Sequence, residues 1–576
     1  MAIDTSATKG TYVTSITNLF WMPTDSGGIP AVAVSKRDFG YISSVYTILI
    51  LLIFMIGWKL ILAISTEFWP KSDNPDLLSV LDDIRNSGES IDSMKIMASH
   101  CKREILNMLG RKPKDVSSVP ESQRAQPSRV YQSPDTRPND NSPPKEITGV
   151  TQEEQNQTPE NASPSNPSRG ARNLWWGLLF LFIALAMSVG NLVAGILVPA
   201  QLLMGNVAPV AKDVILYPDV GRYVWGNDTG AGIAKLDLLQ APSALRALGA
   251  VELSESAVRK RVDIDYKIDP DFAYLRYGYN VTGVDMGLQS DPKLKLIVNG
   301  SCLTDSAWLL NSTDEVDTYR LFGKTLFEVK RQPELELPPT VSFRIDMDTY
   351  DESNFSYAII VQTAGLYSYT SSQDPWYTTD KSGANEPIAY QVRGGRPALS
   401  CWETNKWRLN GKDVNIDGLN DSALPGLKLH QLWARKVFRE EFSFPRLVTL
   451  GRSAGLSALK SASYSSAPFV LDAGASAMSA DLERLVMASW ISSRDVLRET
   501  TRYKSSDLAN LAKSSKGSVE AGAAKFVLES GDVATLSVRI LISVPAILLF
   551  LLILQWSLSW LIRHPKSGEN GGAFMP

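Results

Sequence analysis

One stretch of the sequence has the form of a nucleophile motif. Gly451-Arg452-Ser453-Ala454-Gly455 matches G-x-S-x-G, in which a serine sits on a sharp turn between a strand and a helix with its hydroxyl exposed. Strand-like Leu447-Val448-Thr449-Leu450 precedes it and helix-compatible Leu456 to Leu459 follows, so the spacing predicts that context. A hydrolase of this kind also needs an acid and then a histidine downstream. Beyond Ser453 the chain holds only His564, and His430 lies upstream, in the wrong order. The repeating strand–helix–strand pattern is missing too. The alternative is a Gly/Ser/Ala-rich turn between helices.

A second stretch has the form of a cation loop. Asp413-Val414-Asn415-Ile416-Asp417-Gly418 matches the first half of a calcium loop, but its twelfth position is Leu424, where a bidentate Glu is required. The same residues read as a strand with Val414 and Ile416 facing inward. The acidic pairs Asp263/Asp265 and Asp346/Asp348 alternate along strand-like segments and are expected to face water. Paired carboxylates can serve a glycosidase, yet nothing selects these. Three Cys (Cys101, Cys302, Cys401) and three His (His100, His430, His564) exclude a disulfide scaffold and leave no Cys/His zinc set. With 58 Lys+Arg against 61 Asp+Glu the formal charge is −3, which removes a whole-chain argument for nucleic acid. No catalytic residue, metal or cofactor is assigned, and the expectation is a protein that is not an enzyme.

The elements that hold these residues are dominated by three apolar runs, hidden in a mean hydropathy of −0.08. Residues 45–64, 174–204 and 538–562 each reach the ~20 residues a membrane helix needs. Lys59, near one end of the first run, is placed to snorkel to the interface. The first run begins too far into the chain for a cleaved signal peptide, and Trp58-Lys59 stands where a small-residue cleavage site is needed. Arg169 and Arg172 before the second run, and Arg563, His564 and Lys566 after the third, place those flanks in the cytosol. Residues 205–537 and the N-terminal tail 1–44 then face the outside or the lumen, although Lys36 and Arg37 oppose this for the first run. In the second run Ala186, Gly190 and Ala194 form a small-residue stripe, and Asn191, Ser543 and Gln555 are available for bonds between helices. The stripe reads either as a homodimer contact or as packing within one chain.

The segment 205–537 carries six sequons, at Asn227, Asn280, Asn299, Asn311, Asn354 and Asn420, against roughly two expected by chance. Cys302 and Cys401 are an even pair in this oxidising location and read as one disulfide. Trp402 is a large apolar neighbour to cover that bridge. Cys101 is expected to stay reduced, and Asn156 and Asn161 to stay unmodified, in the cytosolic segment. There, residues 65–110 read as an amphipathic helix region from Asn74 to Gly110. Leu77, Ile84, Ile91, Ala98 and Ile105 recur every seven residues, with Met94 and Cys101 among the complementary positions. This reads as a short coiled coil or, as favoured here, as one amphipathic helix lying on the membrane or on its neighbours. Residues 111–173, with ten Pro and a single aromatic, read as a disordered linker. Ser133, Ser142, Thr158 and Ser163 each precede Pro and suit proline-directed phosphorylation. Residues 563–576 form a cytosolic tail.

Within 205–537 the pattern is strand-like to about residue 418 and helical after 422. Val262, Ile264, Tyr266 and Ile268 alternate with charges, as do Val341, Phe343, Ile345 and Met347. Asn410-Gly411 predicts a hairpin, and Leu482, Leu485, Val486, Ser489 and Val496 mark a helix face. The fold class is therefore three transmembrane helices with a large α+β ectodomain, strand-rich first and helical second, and a disordered cytosolic linker.

Four motifs in this region, Asn299-Gly300-Ser301-Cys302, Asp374-Pro375-Trp376-Tyr377, Ser400-Cys401-Trp402 and Asp481-Leu482-Glu483-Arg484-Leu485, follow one another between two spans. Over roughly 205–565 the chain resembles a group of uncharacterised multi-pass membrane glycoproteins of filamentous ascomycete fungi. That resemblance implies a topology and carries no activity. The functional expectation is an ectodomain that binds or adheres to a protein or glycan ligand, at the plasma membrane rather than an endomembrane, with a regulated cytosolic loop and no nucleic-acid partner. The alternative is a membrane-anchored ectoenzyme acting through Ser453.

Overall fold

A computed structural model of the chain describes residues 9–68, 90–108, 167–217, 229–269, 272–331, 337–349, 351, 353–383, 388–431, 433–466, 470–503, 509–510 and 522–563. It divides into two compact units, Met1–Val45 with Pro199–Ser543, and Tyr46–Val198 with Val544–Pro576. Asn156, Asn161, Asn227, the Ser-Pro and Thr-Pro sites and nearly all of the linker lie outside the described residues.

The N-terminal segment, expected as a tail, is a structural part of the first unit. Strands β1 (Ser15–Thr24) and β2 (Gly27–Ser35) form a hairpin around Asp25-Ser26, with register Thr24↔Gly27 through Phe20↔Ala31. Strand β3 (Leu203–Gly205) and a late strand, β14 (Val533–Ser537), complete a sheet of order β1-β2-β14-β3. Each of the last three strands is continuous with a long helix. Helix α1 (Lys36–Phe68) starts where β2 stops, helix α3 (Pro167–Leu202) ends where β3 starts, and helix α7 (Val538–Arg563) follows β14 without a loop. The Ser35 hydroxyl accepts the Asp38 N–H at 3.1 Å and bonds the Asp38 carboxylate at 2.7 Å. That cap starts α1 nine residues before the apolar run. Among the described residues three helices are long and apolar enough to cross a membrane: Lys36–Ile64, Leu178–Leu202 and Val538–Trp560.

In the second unit, helix α2 (Ser90–Met108) places Met94, Met97 and Cys101 in an apolar cluster with Trp58 and Leu62 of α1 and Phe180 and Ala184 of α3. Ala98 is exposed and Ile105 is 41% exposed. Over the described residues the helix thus lies on its neighbours, and one half of the heptad seam faces outward. A Cβ at Gly190 would lie 3.1 Å from the Phe54 ring of α1, so this member of the small-residue stripe packs within the chain, while Ala186 is exposed.

The rest of the first unit is a two-layer α+β body. Seven antiparallel strands form its main sheet. They are β4 (Val262–Asp269), β5 (Phe272–Thr282), β6 (Lys295–Asp305), β10 (Thr340–Ile345), β11 (Asn354–Gln362), β12 (Ala398–Leu409) and β13 (Lys412–Val414). The order is β10-β11-β12-β6-β5-β4, with β13 on β12. Alternation sends Leu275, Tyr277, Val298, Cys302, Tyr357, Cys401 and Trp407 to one face. Helices α4 (Thr229–Arg259), α5 (Arg446–Ala454) and α6 (Met478–Arg494) pack with this face. A small sheet of β7 (Leu309–Ser312), β8 (Val316–Leu321) and β9 (Thr325–Lys330) covers Ala358 and Ile360 on the opposite face. On the rest of that outer face Arg276, Asn299, Leu303, Trp402 and Lys406 are exposed. The strand-then-helix order holds, except that α4 comes before the strands and short strands follow residue 465. The low amphipathic contrast of α4, interrupted by Pro242 and by non-helical Ser254, leaves little period to detect.

Candidate functional site

The G-x-S-x-G motif does not form a nucleophile elbow. Leu447–Leu450, expected as a strand, belongs to α5, with Leu447, Val448, Gly451 and Ala454 buried along one helical face. Four residues, three of them apolar, are too few to separate the two periods. One glycine is required by packing and the other by backbone conformation. A Cβ at Gly451 would lie 2.3 Å from the Phe343 ring of β10, so the glycine lets helix and sheet close. Gly455, at φ 55°, caps the helix and its N–H bonds the Gly451 and Arg452 carbonyls.

Ser453 is buried, and its Oγ has no hydrogen-bond partner among the described residues. It lines a cleft with Gln240, Glu441, Arg446, Ser492 and Glu499, with space of about 20 Å³, enough for about one water molecule. Both carboxylates there are held by guanidinium groups. Glu441 pairs with Arg446, while Glu499 pairs with Arg246 and, at 2.9 Å, with Arg502. Among the described residues no base bonds the serine hydroxyl.

The calcium-like loop is divided between arginines. Asp413 pairs with Arg408 across the hairpin, and Asp417 lies 3.3 Å from Arg439. Asn415 Oδ1 accepts the Gly418 N–H at 3.0 Å. Among the described residues no cluster of His, Cys, Asp or Glu is arranged to hold a metal. The hairpin stands where the sequence places it. Asn410 and Gly411, at φ 52° and 82°, join Leu409 to Lys412, the signature of a tight primed turn. Asp263 and Asp265 are exposed on β4. Asp346 is half-buried and Asp348 exposed, the latter paired with Lys324 at 2.7 Å.

Cys302 and Cys401 are joined by a disulfide between directly paired residues of β6 and β12, Cα–Cα 4.0 Å. Cys101 is buried and takes no part in a disulfide. Trp402 does not cover the bridge. Neighbouring residues of a strand face opposite ways, so the cysteines lie in the core beside Leu275, Leu399 and Leu482 while Trp402 is 48% exposed on the outer face.

Two buried polar networks escaped the sequence reading, since a buried carboxylate and an exposed one look alike in a list of residues. In the first, Glu403 on β12 is fully buried and accepts the Tyr277 hydroxyl at 2.7 Å, with Tyr357 at 2.8 Å from Tyr277. The Tyr277 ring occupies the space a Cβ on Gly300 would need, at 2.3 Å, which accounts for the glycine in Asn299-Gly300-Ser301-Cys302. Burial raises the Glu403 carboxyl to about 7, against the pull of its hydrogen bonds and of Arg446.

In the second network, Asp481 in the first turn of α6 accepts the Tyr377 hydroxyl at 2.5 Å, the Ser461 N–H at 2.8 Å and the Ser461 hydroxyl at 2.9 Å. Burial lifts its carboxyl to about 6, again against those bonds. Asp374 accepts the Trp376 N–H at 3.0 Å and the Met478 N–H at 2.9 Å, capping α6 from another segment. The four motifs noted in the sequence thus meet in pairs, two at the disulfide and two at Tyr377–Asp481.

Of the sequon residues, Asn280, Asn299, Asn311 and Asn354 are exposed and Asn420 is half-buried, its Oδ1 accepting the Ala423 N–H at 2.9 Å. A groove of about 350 Å³ runs beside Asn280 and Asn299, with Lys260 and Arg261 at its rim.

Comparison with curated proteins and with solved structures found no match. Residues 241–528, half of the 576-residue chain and the part that holds the main sheet, helices α5 and α6, the second half of α4 and both polar networks, match the family described as Domain of unknown function (DUF8406), and the chain belongs to that family.

Proposed function

We propose that the chain is an integral membrane glycoprotein with its N-terminal hairpin and residues 205–537 on the exoplasmic side, residues 65–173 and the C-terminal tail in the cytosol, and a domain that binds or adheres rather than catalyses. One observation carries the topology. Strands β2, β14 and β3 are hydrogen-bonded in one sheet, and each runs directly into or out of a membrane-length helix. An open sheet is not tolerated in hydrocarbon, so Lys36, Leu202 and Val538 mark helix ends on one side of a bilayer. The basic flanks at Arg169, Arg172, Arg563, His564 and Lys566 assign the other side to the cytosol. Lys36 and Arg37 are then the minority, tied to the sheet end of their helix. Exposed Asn280, Asn299, Asn311 and Asn354 suit a glycosylated surface.

Binding is preferred over catalysis because among the described residues Ser453 meets no base and its cleft admits about one water, whereas the outer sheet face exposes Arg276, Asn299, Trp402 and Lys406. The ligand class is a protein or a glycan, and passage through the secretory route favours the plasma membrane. Enzymatic release of N-glycans with isotope labelling of the freed sites tests the reading. Labels at Asn280, Asn299 and Asn354 are expected, and none at Asn156 or Asn161. Glycan at either of the latter two inverts the topology.

A further inference from the structure

Two sequons lie in register on the outer face of the main sheet, one on each side of β12. Thr404 pairs with Asn299 of β6 and with Asn354 of β11. Two residues earlier, Trp402 pairs with Ser301 and with Ser356, the hydroxyl residues of the same sequons. Directly paired residues share a face. Asn299-Thr404-Asn354 and Ser301-Trp402-Ser356 are therefore two adjacent rows of one surface. Strand spacing puts the two asparagines about 10 Å apart, and Trp402 stands diagonal to both, about 7–8 Å away and within reach of a large ring. Gly300, Cys302, Tyr357, Cys401 and Glu403 occupy the core face at the alternate positions, which fixes the outward direction of this array. Its directly paired neighbours Ser301 and Ser356 and the next outward residues of its own strand, Ser400 and Thr404, are small and polar, Leu303 stands on the opposite diagonal, and the indole remains 48% exposed.

We propose that Trp402 is the platform on which the protein's own N-glycans pack, its indole covered by the first N-acetylglucosamine carried by Asn299, Asn354 or both. The C–H groups of a pyranose ring, polarised by the adjacent oxygens, suit the negative face of an indole. The acetamide methyl adds apolar contact. The register supplies the local concentration: a sugar attached at either asparagine is already within a side-chain length of the ring, so little orientational freedom is lost. Docking turns an exposed apolar ring on an open sheet into a covered one and ties the glycans to the strand that bears Cys401. The inference rests on the exoplasmic placement proposed above.

The test uses the full-length glycosylated protein in detergent. Occupancy of Asn299 and Asn354 is first read by mass spectrometry. Thermal unfolding is then compared for the wild type, Trp402→Ala, the double variant Asn299→Gln/Asn354→Gln, and the triple combination, with the single Asn variants assigning the site. Trp402→Ala is expected to lower the midpoint by about 2–4 °C with glycan present and to have no effect in the Asn299→Gln/Asn354→Gln background. Trimming each glycan to its first N-acetylglucosamine should leave the wild-type midpoint in place, and full enzymatic deglycosylation should increase oxidative labelling of the Trp402 ring. Glycan on both asparagines with equal effects of Trp402→Ala in the two backgrounds, or a ring labelled equally with and without glycan, overturns the docking alone. Unmodified Asn299 and Asn354 overturn the docking together with the exoplasmic placement.

Discussion

Replacing Glu403 with Gln isolates a pH dependence built into the core. The Glu403 carboxyl stands at about 7 instead of its ordinary 4.5 because it is fully buried. Between those values the folded chain keeps a proton that the unfolded chain has released. Raising the pH through this window therefore favours unfolding. The stabilisation is complete below 4.5 and is lost as the pH rises through 7. At about 1.4 kcal/mol per pH unit the full effect is roughly 3 kcal/mol, of which roughly 2–3 kcal/mol falls between pH 5 and pH 8. Gln offers the Tyr277 hydroxyl an acceptor and cannot ionise. In thermal unfolding of the full-length protein in detergent, the wild-type midpoint should fall from pH 5 to pH 8 by on the order of 5 °C more than that of Glu403→Gln. Asp481, raised to about 6, contributes with the same sign in both proteins and cancels in the comparison. Identical pH profiles for the two proteins would refute the assignment of a titrating Glu403.

The disulfide gives a second expectation. Cys302→Ser and Cys401→Ser should each cost about 2–5 kcal/mol, and the double variant should be no worse than either, because both break the same bond. Unfolding curves decide this, and alkylation of both thiols in the native, non-reduced protein would show the bridge absent. Ser453→Ala removes a buried hydroxyl that has no partner, so stability should be unchanged or higher by up to about 1 kcal/mol. A serine-reactive probe that labels the wild type but not this variant would restore the hydrolase reading. Gly451→Ala should destabilise by about 1–3 kcal/mol by driving a methyl into Phe343. Adding Phe343→Leu should recover part of that loss, and its failure to do so would refute the close contact.

Elements with a long or strict period were legible in the sequence. The three apolar runs became helices, β4 alternates where Val262 and Ile264 do, and Asn410-Gly411 turns where a primed hairpin requires it. The cysteine pair was legible because Cys302 and Cys401 are the two cysteines between the second and third apolar runs. What failed was short or depended on distant partners. Leu447–Leu450 satisfies a strand as well as one turn of helix, and only the sheet behind it decides. The hairpin Ser15–Ser35 was passed over as a tail because its partner strand lies five hundred residues away, although Asp25-Ser26-Gly27 between two β-rich stretches was a usable signal. Glu403 and Asp481 carry no local mark of burial. The register that aligns Asn299 with Asn354 across Thr404 is a property of the assembled sheet.

The shared side of the three sheet-joined helix ends is tested most directly by protease protection in sealed microsomes, with one epitope tag at the N-terminus and another inserted within residues 120–150. The expected result is an N-terminal tag that survives protease until the membrane is opened with detergent, together with an internal tag that is cut at once. Both tags cut in sealed vesicles would place the β1–β2 hairpin on the same side as the linker and would contradict the continuity of β2, β14 and β3 on which the topology stands, while an N-terminal tag cut with the internal tag protected would invert the proposed orientation.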